Sequence, residues 1–242
     1  MKHTFMAWLA VMTLCVQAPA QTATTPAWVD FSASTEEAWE DFENWKSTAK
    51  NDLVVFPPDS NRALFTLYES GIDSTSMLAA FILHTGGMLV DHGWLRVLGS
   101  GCQDFSRGFK DWNNGKNTPD KNNSRFVFIA DDVVGGFFAL KMAPDTRIEK
   151  AVVWYYGSNN LQWVSTGITY SSFLRFCMSG DIAGFYSDFR WKGWEAEVNH
   201  YNPRHTISCY PLLWTKEGKD LKVNRKVVDV ATVWNNYHAR KK

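Results

Sequence analysis

Between residues 77 and 168 the chain repeats one pattern, a short apolar run followed by a glycine-bearing break. The runs are Met77–His84, Met88–Asp91, Trp94–Leu98, Phe126–Ala130, Phe137–Leu140, Ala151–Tyr156 and a weaker Trp163–Ile168. Gly86-Gly87, His92-Gly93, Gly99-Ser100-Gly101 and Gly135-Gly136 interrupt them. Strand-like runs joined by short glycine-rich turns predict an antiparallel, meandering sheet.

Helical spacing flanks this centre on both sides. Ser34 and Glu37 have the capping-box separation, and Ala38, Phe42, Trp45 and Ala49 recur behind them on one helical face. Leu53–Phe56 is a short extended run, stopped by Pro57-Pro58. A second helix is expected through Ala63, Leu64, Leu67 and Tyr68. Further helices are expected at Ser171–Met178, Ile182–Phe189 and Asp229–His238, while polar residues 113–124 predict an exposed loop. Helices, then sheet, then helices define an α+β class. The predicted architecture is a central antiparallel meander between N-terminal and C-terminal helices, in one domain over residues 34–242.

Lys2 and the apolar stretch Phe5–Val16 precede Ala18-Pro19-Ala20, the form of a secretory signal peptide with cleavage after Ala20. The stretch is too short to cross a bilayer, which needs about 20 apolar residues. Residues 21–33 are small and polar, consistent with a flexible lead. Export to the periplasm or beyond is the expectation. Lys+Arg and Asp+Glu each number 25, a balance that argues against nucleic-acid binding. Beyond the leader only Cys102, Cys177 and Cys209 remain. Their spacing makes no metal knuckle, and the sequence leaves open whether two of them pair.

Motifs for chemistry are sparse. The chain has no GxSxG elbow and no phosphate-binding glycine loop, so no cofactor or metal is expected. Asp91-His92-Gly93-Trp94 places a carboxylate beside an imidazole, as a general base requires. Neighbours on a strand point to opposite faces and would not pair directly, so the segment reads rather as a tight turn around Gly93. Asp131-Asp132 precedes Gly135-Gly136 and fits either a cation or basic partner, or an ordinary turn. Trp191 and Trp194, beside Arg190, fit a recognition surface or a core-facing corner. Asp91, His92, Trp94, Arg96, Asp131, Asp132, Trp191 and Trp194 are the candidate binding residues. Gly93, Gly99, Gly101, Gly135 and Gly136 are expected to serve turns.

Four segments resemble a bacterial domain-of-unknown-function family, the one numbered 2625. They are Gly87–Gly101 (GMLVDHGWLRVLGSG), Phe128–Leu140 (FIADDVVGGFFAL), Phe189–Glu195 (FRWKGWE) and Tyr210–Gly218 (YPLLWTKEG). That resemblance runs from about Trp39 to about Trp234. Ile129–Leu140, Val152–Tyr156 and Ser171–Leu174 more faintly resemble the SUKH superfamily, whose immunity-like members bind toxins. This second resemblance implies a SUKH-like fold and a protein partner rather than catalysis. Export departs from it, because typical SUKH immunity proteins act in the cytoplasm. Two alternatives stand beside protein binding: an envelope hydrolase using the acids with His92, and a glycan or peptidoglycan binder using exposed tryptophans.

Overall fold

A computed structural model describes residues 31–116, 124–200, 202–213, 215–217 and 224–239. The centre is one antiparallel sheet of seven strands whose spatial order is their sequence order. They are β1 (Leu53–Phe56), β2 (Gly87–Val90), β3 (Leu95–Leu98), β4 (Arg125–Asp132), β5 (Phe137–Met142), β6 (Val152–Tyr156) and β7 (Trp163–Thr169). Short turns join β2 to β3, β4 to β5 and β6 to β7, as the glycine-separated runs predict, and longer segments join the other neighbours.

Strand side chains alternate between faces, so cross-strand partners share one face. One face carries Val97 opposite Ala130, and Phe138 opposite Tyr155. It packs on α5 (Tyr170–Ser179), with Phe138 and Phe173 ring centroids 5.1 Å apart. Helices α1 (Phe31–Ser47) and α3 (Met77–His84) both contact α5, and α2 (Ser60–Ser70) packs on α3. The opposite face carries Arg96 opposite Asp131, and Phe137 opposite Tyr156. There α4 (Phe109–Asn113) stacks Trp112 on Phe137, and α8 (Val230–Ala239) sets Trp234 edge-on to Phe128 and Phe137. A hairpin of β8 (His205–Tyr210) and β9 (Asn224–Asp229) closes over that face. Two short helices, α6 (Ile182–Phe185) and α7 (Trp194–Val198), follow α5 in the chain.

Several expectations need correction. Met77–His84 is a helix rather than a strand. Ser76 caps it by accepting from Ala79 N at 3.1 Å, and the segment is packed by α1, α2 and α5 together. A short apolar run fits a buried helix and a buried strand equally, and the cap decides here. Among the described residues the first helix spans Phe31–Ser47, so Ser34 lies within it and its hydroxyl donates back to the Phe31 carbonyl. Residues 31–33 are therefore helical rather than a loose lead. Asn113 opens no exposed loop. It is buried, donating to the Phe109 and Phe128 carbonyls while its Oδ1 accepts from Phe128 N. The helix expected over Ile182–Phe189 stops at Phe185 and continues as a 3-10 turn, Ser187–Phe189. Strands β8 and β9 carry no sequence expectation at all. Residues 1–30 and 117–123, including the expected leader and cleavage point, lie outside the described residues.

His84 ends α3 against α1. Its ring stacks on Trp39 with centroids 4.5 Å apart, and Nε2 lies 3.4 Å from the Thr35 hydroxyl. Burial holds this imidazole below its ordinary value, with the Glu43 carboxylate opposing. The fold therefore favours the neutral ring. Below about pH 6.5 the unfolded chain takes a proton that the folded chain resists, so this contribution to stability falls on acidification. In chemical denaturation, the wild type should lose more stability between about pH 8 and about pH 5 than His84→Gln, whose side chain does not titrate. Equal losses would remove His84 as the cause.

Candidate functional site

The candidate residues separate into two groups. Arg96 and Asp131 face each other across β3 and β4 with no exposure to water. Arg96 Nε donates to Asp131 Oδ1 at 2.8 Å, and Nη2 reaches both that oxygen and the Asp132 carbonyl. Arg107 approaches from the chain before α4 and pairs with Asp131 Oδ2, without a well-aligned hydrogen bond. Buried charge is tolerated only when paired, and here one carboxylate is held by two guanidiniums.

The same arginines hold the C-terminal hairpin. Arg96 Nη1 donates to the His205 carbonyl and Arg107 Nη2 to the Pro203 carbonyl. Thr206 Oγ1 and Ile207 N both donate to the Val133 carbonyl at 2.7 Å. The node thus serves as the joint between sheet and hairpin.

Asp132 faces the other way. Its Oδ1 accepts from Val134 N and Gly136 N, closing the β4–β5 turn, and its Oδ2 accepts from the Tyr155 and Tyr186 hydroxyls. Burial raises this carboxyl above the ordinary range, against the lowering effect of those donors and of Arg96. The two tyrosine hydroxyls are pushed up by burial first and by the Asp132 carboxylate second. At Gly136 a Cβ would meet Asp132 Oδ2 at 2.2 Å and the Tyr155 hydroxyl at 2.3 Å, so only glycine fits there. These acids organise the interior and face no open cleft.

The second group gathers at the β2–β3 turn. Asp91, His92 and Gly93 take φ of 53°, 56° and 85° in succession. Left-handed backbone costs a non-glycine residue about 1–3 kcal/mol and persists only where surroundings enforce it. The surroundings are specific. Asp91 N donates to the Asp52 carbonyl at 2.8 Å, and His92 N to Asp52 Oδ2 at 3.2 Å. The Asp91 carboxylate pairs with Arg190. That guanidinium lies over the Trp194 ring at 4.1 Å and the Trp94 ring at 5.2 Å.

Trp94 is fully buried, with ring centroids 5.0 Å from Trp194, 5.6 Å from Trp191 and 5.5 Å from Tyr186. Trp191 is half-buried. Its Nε1 donates to Glu197 at 2.7 Å, and Arg225 lies over its ring at 4.3 Å. The His92 side chain is 45% exposed, with its ring set edge-on to Trp194. Structure therefore joins Asp91, His92, Trp94, Trp191 and Trp194, and separates them from Arg96, Asp131 and Asp132. Of the two sequence readings for the tryptophans, the core-facing corner describes Trp194.

Arg107, Tyr155 and Tyr186 escaped sequence reasoning, since each meets the node from a distant segment with no local motif. Arg190 had a local signal, its place beside Trp191. Among the described residues, no three His, Cys, Asp or Glu side chains cluster as metal ligands. Cys102, Cys177 and Cys209 are unpaired, and burial raises the Cys177 thiol and pushes that of Cys209 up to about 11. No helix among the described residues is long and apolar enough to cross a membrane.

A meandering α+β sheet with a buried Arg–Asp–Arg joint and a tryptophan-braced turn is the class this geometry defines. Within it, the chain belongs to the family described as protein of unknown function DUF2625, whose model matches residues 29–233. A protein of Haemophilus influenzae described as uncharacterized is 33% identical over 204 residues, covering 84% of this chain and 88% of its own. The Escherichia coli protein described as putative uncharacterized protein YbfG is 31% identical over 206 residues, covering 85% and 93%.

Two stability outcomes follow from the joint. Arg96→Met leaves Asp131 short of a partner and should cost about 3–5 kcal/mol in denaturant unfolding. Amide exchange should quicken at Thr206 and Ile207 in the same variant, because their hairpin loses its anchor. Gly136→Ala should cost about 3 kcal/mol through overpacking against Asp132 and Tyr155. A neutral result for either would show that the joint or the turn relaxes freely.

Proposed function

We propose that this protein is exported and acts as a non-enzymatic protein-binding module, with the β2–β3 turn and its tryptophan brace as the docking surface. The observation that carries this reading is the consecutive left-handed Asp91 and His92, held strained at an exposed position by Arg190 and Asp52. Retained strain marks positions whose presentation is used. The half-exposed His92 ring stands edge-on to Trp194, and the half-buried Trp191, with Arg225 over its ring, belongs to the same tryptophan cluster around Trp94; tryptophan and arginine dominate interface energetics.

Other features support it. The leader-like residues 1–20 favour export. The fainter SUKH resemblance favours a protein partner. Hydrolysis by the acids with His92 draws no support from the geometry. Asp91 is engaged by Arg190, and Asp131 and Asp132 lie in the interior with internal partners. A glycan platform draws little support, since Trp94 and Trp194 are buried.

Tagged protein lacking residues 1–20 should retain one stoichiometric protein partner from native envelope extract. Against the purified partner, His92→Ala combined with Trp191→Ala should raise Kd by about 30-fold, the weight of one hot-spot residue. Capture of no partner, or equal affinity in the variant with its fold intact by circular dichroism, would overturn the reading.

A further inference from the structure

A groove of about 390 Å³ opens between β7 and helices α5 and α6, away from the turn surface. Cavities of about 300–1,000 Å³ are the size that holds small molecules. Phe138, Tyr155 and Val164 form one cross-strand row along its sheet side, and Phe173, Phe176 and Phe185 form its helix side. The rings meet edge-on or tilted, with Tyr155 and Phe185 centroids 5.4 Å apart and Phe176 and Phe185 5.8 Å apart. The row ends unpacked, because α6 stops at Phe185. Val164 is left 51% exposed and Phe185 39% exposed.

The lining also decides what the groove can accept. No charged residue contributes to it. Its hydroxyls already have partners: Tyr155 donates to Asp132 at 2.8 Å, Thr166 donates to the Val153 carbonyl at 2.6 Å, and Ser165 accepts from Gly167 N at 3.3 Å. A charged or strongly polar guest would lose its water and gain no counterpart. An added peptide strand fits poorly too. Regular pairing with β6 covers Trp163, Val164 and Ser165, after which a bulge at Thr166 and Gly167 curls the outer edge. We infer that this groove is a binding site for a compact, uncharged, apolar small molecule, held by ring contacts and by exclusion of water. The site is separate from the proposed docking surface and does not depend on it.

Titration with 1-N-phenylnaphthylamine, an uncharged fluorophore that brightens in apolar surroundings, tests this on the protein lacking residues 1–20. Expected is saturable binding at one site per chain. Phe185→Asp and Val164→Asp should each weaken it at least about 10-fold, since both place a charge in the groove mouth. Val164 is 51% exposed, so Val164→Asp should keep the wild-type circular dichroism and melting profile and carries the test even where Phe185→Asp loosens the ring cluster. His92→Ala should bind the probe as the wild type does, which separates this result from the fate of the docking surface. Absence of saturable binding, or equal binding in both aspartate variants, would overturn the inference. So would equal affinity for the sulfonated naphthylamine analogue, because the groove offers a negative charge no partner.

Discussion

Asp131 lies in a central strand with no route to water, and guanidinium groups reach it from two sides of the chain. A carboxylate in that position is tenable only because both arginines are present, and each arginine in turn sends a donor to a backbone carbonyl of the hairpin approach. Those carbonyls belong to Pro203 and His205, on the approach to β8. The β3–β4 register and the seating of the hairpin are therefore one arrangement. A one-residue slip between β3 and β4 would turn Arg96 to the opposite face, away from Asp131 and the carbonyls that now receive it.

On the other side of the same strand end, Asp132 performs a different task with the same chemistry. Four donors converge on its side chain, two from the β4–β5 turn and two from tyrosines on β6 and beyond α6. Adjacent aspartates thus tie opposite faces of the sheet, one through ion pairing and one through hydrogen bonds. The strained β2–β3 turn stands one strand pair away and is braced from outside, by Asp52 and by the Arg190 segment, rather than by the node.

The meander was legible because glycine breaks and apolar runs act locally, and strands adjacent in sequence pair with one another. Met77–His84 was misread because its periodicity is erased by burial on every side, leaving the Ser76 cap as the only local discriminator. The hairpin was illegible for a related reason. Asn224–Asp229 is largely exposed and pairs with β8, whose own place is set by the Pro203 and His205 carbonyls meeting arginines about a hundred positions earlier. Within the candidate site, Asp91, His92 and the tryptophans were found through residue type. Their separation from Asp131 and Asp132 was not visible, because adjacency in a motif carries no information about which face a strand residue takes.

That dependence on distant carbonyls bears on the order of events as the chain is made. The sheet strands follow one another and can pair as they emerge, whereas the partners of Arg96 and Arg107 arrive 109 and 96 residues later. At synthesis rates of about 5–20 residues per second, the guanidiniums wait for about 5–20 s before they can be sealed. Completion of the joint is thus timed by the arrival of Pro203 and His205, well after the sheet strands themselves have been made.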